Sequence, residues 1–445
     1  MPKDILEERH NSISQTGAAL DCDKASVAGA VSQRACVYCG ARVVLNPIAD
    51  AFHLVHGPIG CASYTWDIRG SLSAGSELFR QSFSTDLKER DIVFGGVDKL
   101  RAGLIEIAQI YQPPVIFVYA TCVVGVIGDD VEAVAREIEK AYHLRVIVVK
   151  APGFAGHKSQ GYRLAGEALM NLLTPYKTDQ KRRGLNILGD YNLAGEMWII
   201  KNYFREIGIP VIASLTGDSG HADLIKAPTA SLNVVQCAGS MTYLAKKMEE
   251  EFGIPWVKAS FFGLEDTARA LRETVDLLGT EAERRRCEAL IERESNKVKT
   301  AISPYLPQLK GKKAAIFVGG GFKAISLIRQ FKALGLTTVL VGAQTGQKEE
   351  YEVMANIASP GTVILDDANP SELETFMREK GADILVGGVK ERPLAYKLGV
   401  AFCDHNHERQ SPLAGFVGVE NFTREINLTI NSPVWSYVQA AGELA

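Results

Sequence analysis

The sequence has few cysteines, little excess of one charge and no long apolar run, and each of these absences excludes a class of protein. Eight cysteines in 445 residues are too few for a disulfide scaffold. A formal net charge of -3 without a polybasic run gives no reason to expect binding to nucleic acid or to a membrane surface. No apolar run reaches the roughly 18–20 residues that span a bilayer, and the first residues lack the apolar core of a secretory signal. We therefore expect a cytoplasmic protein in which some thiols stay reduced and bind metal.

From about residue 112 onward, short apolar runs alternate with amphipathic stretches, and this pattern predicts an α/β fold. We expect three Rossmann-like domains, each a mostly parallel sheet flanked by helices, with the cofactor site between domains. Breaks in the pattern predict a polar N-terminal arm at 1–25, domains at 26–180, 181–305 and 306–415, and a C-terminal helical tail at 416–445. The predicted strands are Val115–Ala120, Val146–Lys150, Leu185–Leu188, Val211–Leu215, Ser231–Gln236, Ala314–Val318, Thr338–Val341 and Ile384–Val386. The predicted helices include Val131–Tyr142, Ala194–Ile207, Ser240–Phe252, Thr280–Thr300 and Ser326–Leu334.

Three cysteines near the N-terminus, Cys36, Cys61 and Cys122, stand beside glycines or at the start of glycine-containing loops. Glycine lets the backbone and a thiolate approach a bulky inorganic ligand closely. Thiolates are soft ligands, which suit zinc or iron–sulfur rather than hard cations. Structural zinc usually takes two tight pairs of ligands, and here only Cys36 and Cys39 form such a pair. The spacing therefore favours an iron–sulfur cluster with a further ligand from elsewhere, such as another chain.

Further candidate ligands follow later predicted strands. Cys237 lies at the carboxyl end of one of them, where open α/β sheets collect ligands, although a cysteine there is also typical of core packing. Gly319–Gly321 with Lys323, and Gly387–Gly388 with Lys390, form two glycine–lysine turns. Successive backbone N–H groups at a helix start can bind an anion. Small residues in a tight turn explain one such sequence equally well, but two in one domain favour an anionic ligand.

Histidines and acidic residues give weaker signals. The segment 403–409 contains His405, Asn406 and His407 among other metal-ligand side chains, and a site or a surface role fits it equally. His53 and His56 could donate to a metal ligand, but we expect them to face solvent in a loop. The Asp129–Asp130 pair is typical of a helix start rather than of a metal site.

Together these segments resemble the α-type subunits of the nitrogenase superfamily from about Cys36 to Trp435. Such a series of segments in one order is highly specific. The segments that carry the resemblance are His56-Gly-Pro-Ile-Gly-Cys61, Thr121-Cys122 with Ile127-Gly-Asp-Asp130, Gly189-Asp190-Tyr191-Asn192, Asn233–Cys237 with Ser240-Met241, Phe252-Gly-Ile-Pro-Trp256, and Phe262-Gly263.

The resemblance implies two metal clusters. Cys36, Cys61 and Cys122 match family cysteines that hold an iron–sulfur cluster at the interface with a β-type subunit, so we expect a [4Fe-4S] cluster whose fourth ligand comes from that subunit. Cys237 matches the cysteine that anchors the active-site cofactor or its precursor. The other residues expected around this cofactor are Arg69, Gly319, Gly320, Gly321, Lys323, Lys390 and Asn406.

Within the superfamily, the sequence favours a cofactor-assembly scaffold. Catalytic subunits carry a second cofactor ligand, a histidine, where this chain has Asn406. They also carry a glutamine and a histidine on a helix where this chain has Glu167 and Asn171. We therefore expect a subunit on which an iron–sulfur–carbide precursor of the iron–molybdenum cofactor receives molybdenum and homocitrate.

The expected partners are a NifN-like β subunit in an α2β2 heterotetramer, the dinitrogenase reductase, and a protein that donates the cofactor precursor. A nitrogenase-like reductase is the alternative, because His405 and His407 flank Asn406 and because Lys390 matches a lysine that holds the organic acid in catalytic subunits. A small-ligand module of the periplasmic binding type would leave the four thiols unexplained.

Overall fold

A computed structural model describes residues 17–19, 35–65, 71–74, 81–406, 408–435 and 437. Its strands form three sheets in which neighbouring strands run parallel. In chain order the strands are β1 Ala18–Ala19, β2 Ala51–His56, β3 Ser82–Ser84, β4 Val115–Ala120, β5 Arg145–Lys150, β6 Leu185–Asp190, β7 Val211–Thr216, β8 Leu232–Val235, β9 Trp256–Lys258, β10 Lys313–Val318, β11 Thr337–Ala343, β12 Val363–Leu365, β13 Ile384–Gly387 and β14 Ala401–Asp404.

Helices connect and flank these strands, as parallel pairing requires. In chain order they are α1 Val37–Leu45, α2 Ile59–Tyr64, α3 Glu89–Phe94, α4 Val97–Tyr111, α5 Cys122–Ile127, α6 Val131–Tyr142, α7 Lys158–Leu173, α8 Glu196–Ile207, α9 His221–Leu224, α10 Ala238–Phe252, α11 Leu264–Leu278, α12 Glu281–Ile302, α13 Leu306–Leu309, α14 Gly321–Ala333, α15 Lys348–Ile357, α16 Pro370–Lys380, α17 Arg392–Lys397 and α18 Gly415–Ile430. The predicted α/β class, with parallel sheets flanked by helices, is confirmed.

The chain forms two compact units. The N-terminal unit, Ala35–Lys258, contains two four-stranded sheets with strand orders β3-β2-β4-β5 and β7-β6-β8-β9. The C-terminal unit comprises Ala259–Ala445 and the segment that contains β1, and its sheet has the order β1-β12-β11-β10-β13-β14. Most of the predicted arm lies outside the described residues, but Gly17–Ala19 reach the edge of this sheet and β1 pairs with β12.

Residues 259–305, which the sequence assigned to the middle domain, are grouped with the C-terminal unit. Asp266 on α11 explains part of this grouping, because its buried carboxylate accepts hydrogen bonds from two residues of α14. Ser326 Oγ donates over 2.7 Å and Arg329 Nη1 over 2.8 Å.

Strand β4 shows why the chain forms layers with helices on both faces. Every residue of β4 is buried, since Val115, Phe117 and Tyr119 face one apolar core and Ile116 and Val118 face another. The first core includes residues of α1, α7 and α10, and the second includes residues of α4 and α6. A strand that is buried on both faces has a continuous run of apolar residues, and this run allowed β4 to be predicted from the sequence.

Helices α1 and α7 approach each other so closely that only glycine fits at their contact. A Cβ atom on Gly40 would lie 2.0 Å from the Lys158 carbonyl oxygen, and one on Gly161 would lie 2.0 Å from the Val37 carbonyl oxygen. The contact holds the N-terminal ends of the two helices together, where Cys36 and His157 form an isolated antiparallel bridge.

We expect Gly161→Ala to lower the free energy of unfolding by ~1–3 kcal/mol or more, because the new methyl group would overlap a backbone oxygen that cannot move without the helix. The measurement is the urea concentration at half-unfolding. Gly60→Ala is the matched control, since a Cβ there meets no atom within 4 Å, and we expect it to leave the midpoint unchanged or slightly raised. Equal midpoints for the two variants would contradict the close contact.

Candidate functional site

Two of the three N-terminal cysteines follow neighbouring strands of one sheet. Strands β2 and β4 are paired so that His56 lies opposite Ala120. Cys61 lies on α2, soon after β2, and Cys122 is the first residue of α5, soon after β4. The carboxyl ends of parallel strands share one sheet edge, so the order of the strands brings these two thiols to the same place.

Gly153, which follows β5, joins Cys122 to Cys36. Its backbone N–H donates a 3.0 Å hydrogen bond to Cys122 Sγ. A Cβ on Gly153 would lie 3.1 Å from that sulfur and 3.4 Å from Cys36 Cβ. Cys36 is the N-cap of α1 and is half-buried, as are Cys61 and Cys122. The structure therefore brings together the three cysteines that the sequence singled out.

The electrostatics of Cys61 show how close these thiols are. Burial is the main cause that raises the pKa of Cys61, and the Cys122 and Cys36 thiolates raise it further, whereas a hydrogen bond with Thr121 lowers it. Like charges that disfavour one another are stabilised by a bound cation. In the described part of the chain, no three Cys, His, Asp or Glu side chains converge on a position for one metal ion. A cluster with several iron atoms distributes its thiolates over separate metals, so the half-buried trio fits a cluster better than a single ion.

Exposed apolar side chains flank each part of the site formed by Cys36, Cys61 and Cys122, here called the thiol site. Ile59 is 53% exposed, Val126 76% and Phe154 66%. Ile59 lies two residues before Cys61, Val126 lies on the helix that begins at Cys122, and Phe154 follows Gly153. An apolar rim of this kind is typical of a surface that another protein covers.

The expectation that His53 and His56 face solvent is wrong, because both lie on β2 and are fully buried. His56 Nε2 lies 3.0 Å from Asp129 Oδ2, and the same carboxylate accepts hydrogen bonds from the Gly96 N–H. Burial lowers the pKa of His56, with Asp129 acting against it. His56 and Asp129 thus fix the loops next to the thiol site. Asp130 is the N-cap of α6, as predicted.

Cys237 is half-buried at the N-cap of α10, two residues after the end of β8. Gly189, near the carboxyl end of β6, allows that strand to pass against Cys237, since a Cβ on Gly189 would lie 2.6 Å from Cys237 Cβ. Gln236 Nε2 donates to Asp190 Oδ2 over 2.9 Å, and the Tyr191 hydroxyl donates to Ser240 Oγ over 2.8 Å. These contacts hold the thiol at the start of a fifteen-residue helix, where the helix dipole favours a bound anion.

In the C-terminal unit, Asn406 lies beside both glycine–lysine turns. A Cβ on Gly388 would lie 2.6 Å from Asn406 Nδ2, and one on Gly319 would lie 4.0 Å from Asn406 Oδ1. The Asn406 N–H donates to Asp404 Oδ1 over 2.8 Å. A Cβ on Gly320 would meet no atom within 4 Å, so the first turn has open space on that side.

The two lysines of these turns differ. Lys323 Nζ donates to the His405 carbonyl oxygen over 3.0 Å and lies 5.4 Å from the centre of the Phe262 ring, whereas Lys390 is exposed. His405 itself is fully buried, with its ring centre 5.2 Å from that of Phe262 and 5.7 Å from that of Phe422. Enclosure by aromatic rings gives no support to His405 as a cluster ligand. Arg69 and His407 lie outside the described residues.

Glu167 and Asn171 lie on the exposed side of α7. Catalytic subunits are expected to carry a glutamine and a histidine at these two positions. Glu167 Oε1 accepts hydrogen bonds from Arg163 Nε at 3.3 Å and from the Tyr243 hydroxyl at 3.1 Å. Asn171 Oδ1 accepts from Arg145 Nη2 at 2.7 Å. These contacts give both side chains a structural role, so the argument against catalysis depends on Asn406.

Glu391 was missed by the sequence analysis. Its side chain is fully buried, Oε2 accepts the Gly388 N–H over 2.8 Å, and Gln344 Nε2 lies 3.4 Å from Oε1. Burial is the main cause that raises its pKa to about 7, while the backbone N–H groups of Gly388 and of Glu391 itself, together with Lys390, act against the rise. A glutamate three residues after a glycine turn is a signal for such an N–H acceptor. Glu391 fixes the turn that lies against Asn406.

The chain is similar to several known proteins. The profile of the family described as "Nitrogenase component 1 type Oxidoreductase" matches residues 36–431. The protein named "Nitrogenase iron-molybdenum cofactor biosynthesis protein NifE" from Clostridium pasteurianum is 60% identical over 442 residues, which cover 98% of this chain and 97% of that protein. The protein of the same name from Methanosarcina barkeri is 50% identical over 452 residues, with 98% of each covered.

A solved structure, "Nitrogenase Cp1 at pH 5", is similar to this chain with a TM-score of 0.84 and 30% identity, over 94% of this chain and 92% of that one. Among the described residues, no helix combines the length and the apolar character needed to cross a bilayer.

Glu391 should make stability depend on pH. Its pKa is about 7 in the folded chain against 4.5 for an ordinary glutamate, so the folded state binds this proton more tightly. The stabilisation is fully present below about pH 4.5 and is lost as the pH rises toward 7, by at most ~3 kcal/mol. Glu391→Gln stays neutral, so we expect its urea midpoint to gain on the wild type between pH 5 and 7.5.

Glu374→Gln is the control for this experiment, because a hydrogen bond from Lys397 lowers the pKa of Glu374. That variant should not gain on the wild type as the pH rises. A constant difference between Glu391→Gln and the wild type across this range would show that Glu391 does not titrate there.

Proposed function

This chain belongs to the nitrogenase component 1 type oxidoreductase family, and from that membership we propose that it is a scaffold subunit for iron–molybdenum cofactor assembly. An iron–sulfur precursor would bind to it and mature there as molybdenum and homocitrate are inserted. The observation that carries the proposal is the 60% identity, over 98% of the chain, to a protein named for iron–molybdenum cofactor biosynthesis. Metal clusters bound by thiolates follow from this role.

The first cluster of the proposal is a [4Fe-4S] cluster held by Cys36, Cys61 and Cys122, here called the interface cluster. Its support is the meeting of Cys122 and Cys36 at Gly153 and the electrostatic effect of these two thiolates on Cys61. Three ligands leave one iron position open for a β-type subunit. The apolar rim at Ile59, Val126 and Phe154 supports a protein partner at this place.

The second cluster of the proposal is the cofactor precursor, bound by the Cys237 thiolate. Support comes from the half-buried thiol at the start of α10, where Gly189 has no side chain and so allows β6 to pass closely beside Cys237. A cluster rich in sulfide is an anion, and its binding calls for N–H donors and cations. From the sequence we assign that role to Gly319–Gly321, Lys323, Lys390, Arg69 and Asn406.

A single thiolate suits a site that must release its product. A second protein ligand would retain the cluster and fix its orientation, as catalysis requires. Asn406 stands where catalytic relatives have that ligand, and the enclosed ring of His405 does not replace it. The scaffold role is therefore favoured over a nitrogenase-like reductase.

The proposed assembly is an α2β2 heterotetramer with a NifN-like β subunit. The dinitrogenase reductase would deliver electrons with molybdenum and homocitrate, and a donor protein would supply the precursor. The cytoplasm is the proposed compartment, because exposed iron–sulfur clusters and free thiols need a reducing environment.

The two clusters should be separable by substitution. Cys61→Ala should abolish the EPR signal of the reduced interface cluster in the anaerobically purified complex, because it removes one of three thiolates. Cys237→Ala should lose the precursor and keep that signal, because the two sites use different thiols. Iron analysis and EPR of both variants are the measurements, and loss of both clusters in Cys237→Ala with an intact fold would contradict the two-site proposal.

The scaffold role is tested by measuring whether the complex transfers finished cofactor to cofactor-free nitrogenase. The complex is loaded with precursor, supplied with reductase, ATP, molybdate and homocitrate, and mixed with cofactor-free nitrogenase, which should gain activity. Complex carrying Cys237→Ala should fail to activate the acceptor. Steady reduction of a substrate by the complex itself, without activation of the acceptor, would favour the reductase.

A further inference from the structure

Cys39 is a fourth thiol near the interface cluster, and the proposed function gives it no role. It lies in the first turn of α1, three residues after Cys36, and is 7% exposed and not in a disulfide. Cys36 is the N-cap of α1 and Cys39 its third helical residue, two positions whose side chains lie close together at a helix start. Two cysteines separated by two residues are also a common pair of ligands to one iron–sulfur cluster.

The position of Cys39 is fixed by the helix contact described above. Gly40, the next residue, packs against the Lys158 carbonyl, and its N–H donates to the Cys36 carbonyl oxygen over 3.1 Å. The first turn of α1 therefore cannot rotate without breaking its packing on α7. Any metal that reaches Cys36 meets a helix turn whose orientation is already set.

The pKa of Tyr64 gives a second indication of where Cys39 lies. It lies on α2, the helix that carries Cys61. The pKa of Tyr64 is raised to about 12, mainly by burial and also by the thiolates of Cys39 and Cys36, while Lys158 acts in the opposite direction. Cys39 and Cys36 are thus both within electrostatic range of one hydroxyl group on the helix that supplies the next cluster ligand.

We propose that Cys39 is a ligand to the interface cluster in the chain without its β-type partner, and that the partner's ligand replaces it on assembly. The inference rests on the proposed function, since the cluster itself is part of that proposal. In the exchange, the bond between one iron and Cys39 sulfur breaks and a bond from that iron to the partner's ligand forms. The released thiolate takes a proton from solvent, and no iron changes its oxidation state.

The chemical reason for such a ligand is the open iron position. With three thiolates, one iron of the cluster is exposed to solvent and to oxidants until the partner arrives. A fourth thiolate from the same chain closes that position, and a buried one does so without adding an exposed reactive thiol. The partner then needs only to exchange one ligand.

The test uses the full-length chain produced without any β-type partner. It is purified anaerobically and reconstituted with ferrous iron and sulfide. We expect the wild type to bind about four iron atoms per chain, the content of one [4Fe-4S] cluster. Cys39→Ala should bind about three or fewer and lose the EPR signal of the reduced four-iron cluster. Cys287→Ala, which removes a buried thiol from α12, is the matched control and should behave as wild type.

The same variants are then studied in the complex with the β-type subunit, where Cys39→Ala should keep wild-type iron and EPR. Wild-type iron content and spectrum for Cys39→Ala in the lone chain would overturn the proposal, and so would a lone wild-type chain that binds no cluster. Cys39→Ser, which keeps the size of the side chain, and the circular dichroism of each variant separate ligand loss from misfolding.

Cys61→Ala distinguishes failure of this inference from failure of the proposed function. It should lose the cluster both in the lone chain and in the complex. Retention of the cluster by Cys61→Ala in the complex would contradict the proposed interface cluster itself. Wild-type behaviour of Cys39→Ala alone would contradict only the proposed role of Cys39.

Discussion

The contact between α1 and α7 is the constraint on which the thiol site depends. Gly40 and Gly161 let two helix backbones approach to a distance that any side chain would prevent. This approach places Cys36 in its bridge with His157 and sets the orientation of the first turn of α1. The predicted ligands can therefore be held by packing before any metal binds, which lowers the cost of ordering them around a cluster.

Parallel sheets supply the other half of the arrangement. Each sheet places the residues that follow its strands along one edge, so groups far apart in sequence meet without a dedicated structure. Strands β2, β4 and β5 bring Cys61, Cys122 and Gly153 to such an edge. The pairing of β6 with β8 brings Gly189, which lies in β6, next to Cys237, which follows β8. In each case a glycine allows the backbone to pass beside a thiol.

Buried polar groups then fix the loops at these edges. His56 with Asp129, Gln236 with Asp190, and Glu391 with Gly388 each satisfy hydrogen bonds that burial would otherwise leave unmade. None of these residues is a proposed cluster ligand. They matter because a loop that must hold a thiolate or an anion in one position cannot be mobile, and buried hydrogen bonds give it that order.

The sequence by itself determined the fold class, most of the buried sheet strands, and the identity of the cysteines, because apolar runs and thiols are visible in a linear pattern. Each predicted strand is present, but the sequence missed β1, β2, β3, β9, β12 and β14. In β2 and β14, polar residues such as His53 and Asp404 interrupt the apolar character. Only the tertiary structure decided that His56 and His405 are buried, that Gly153 joins two thiols, and that Glu391 supports a turn. These features depend on neighbours from distant parts of the chain, whose approach no local pattern records.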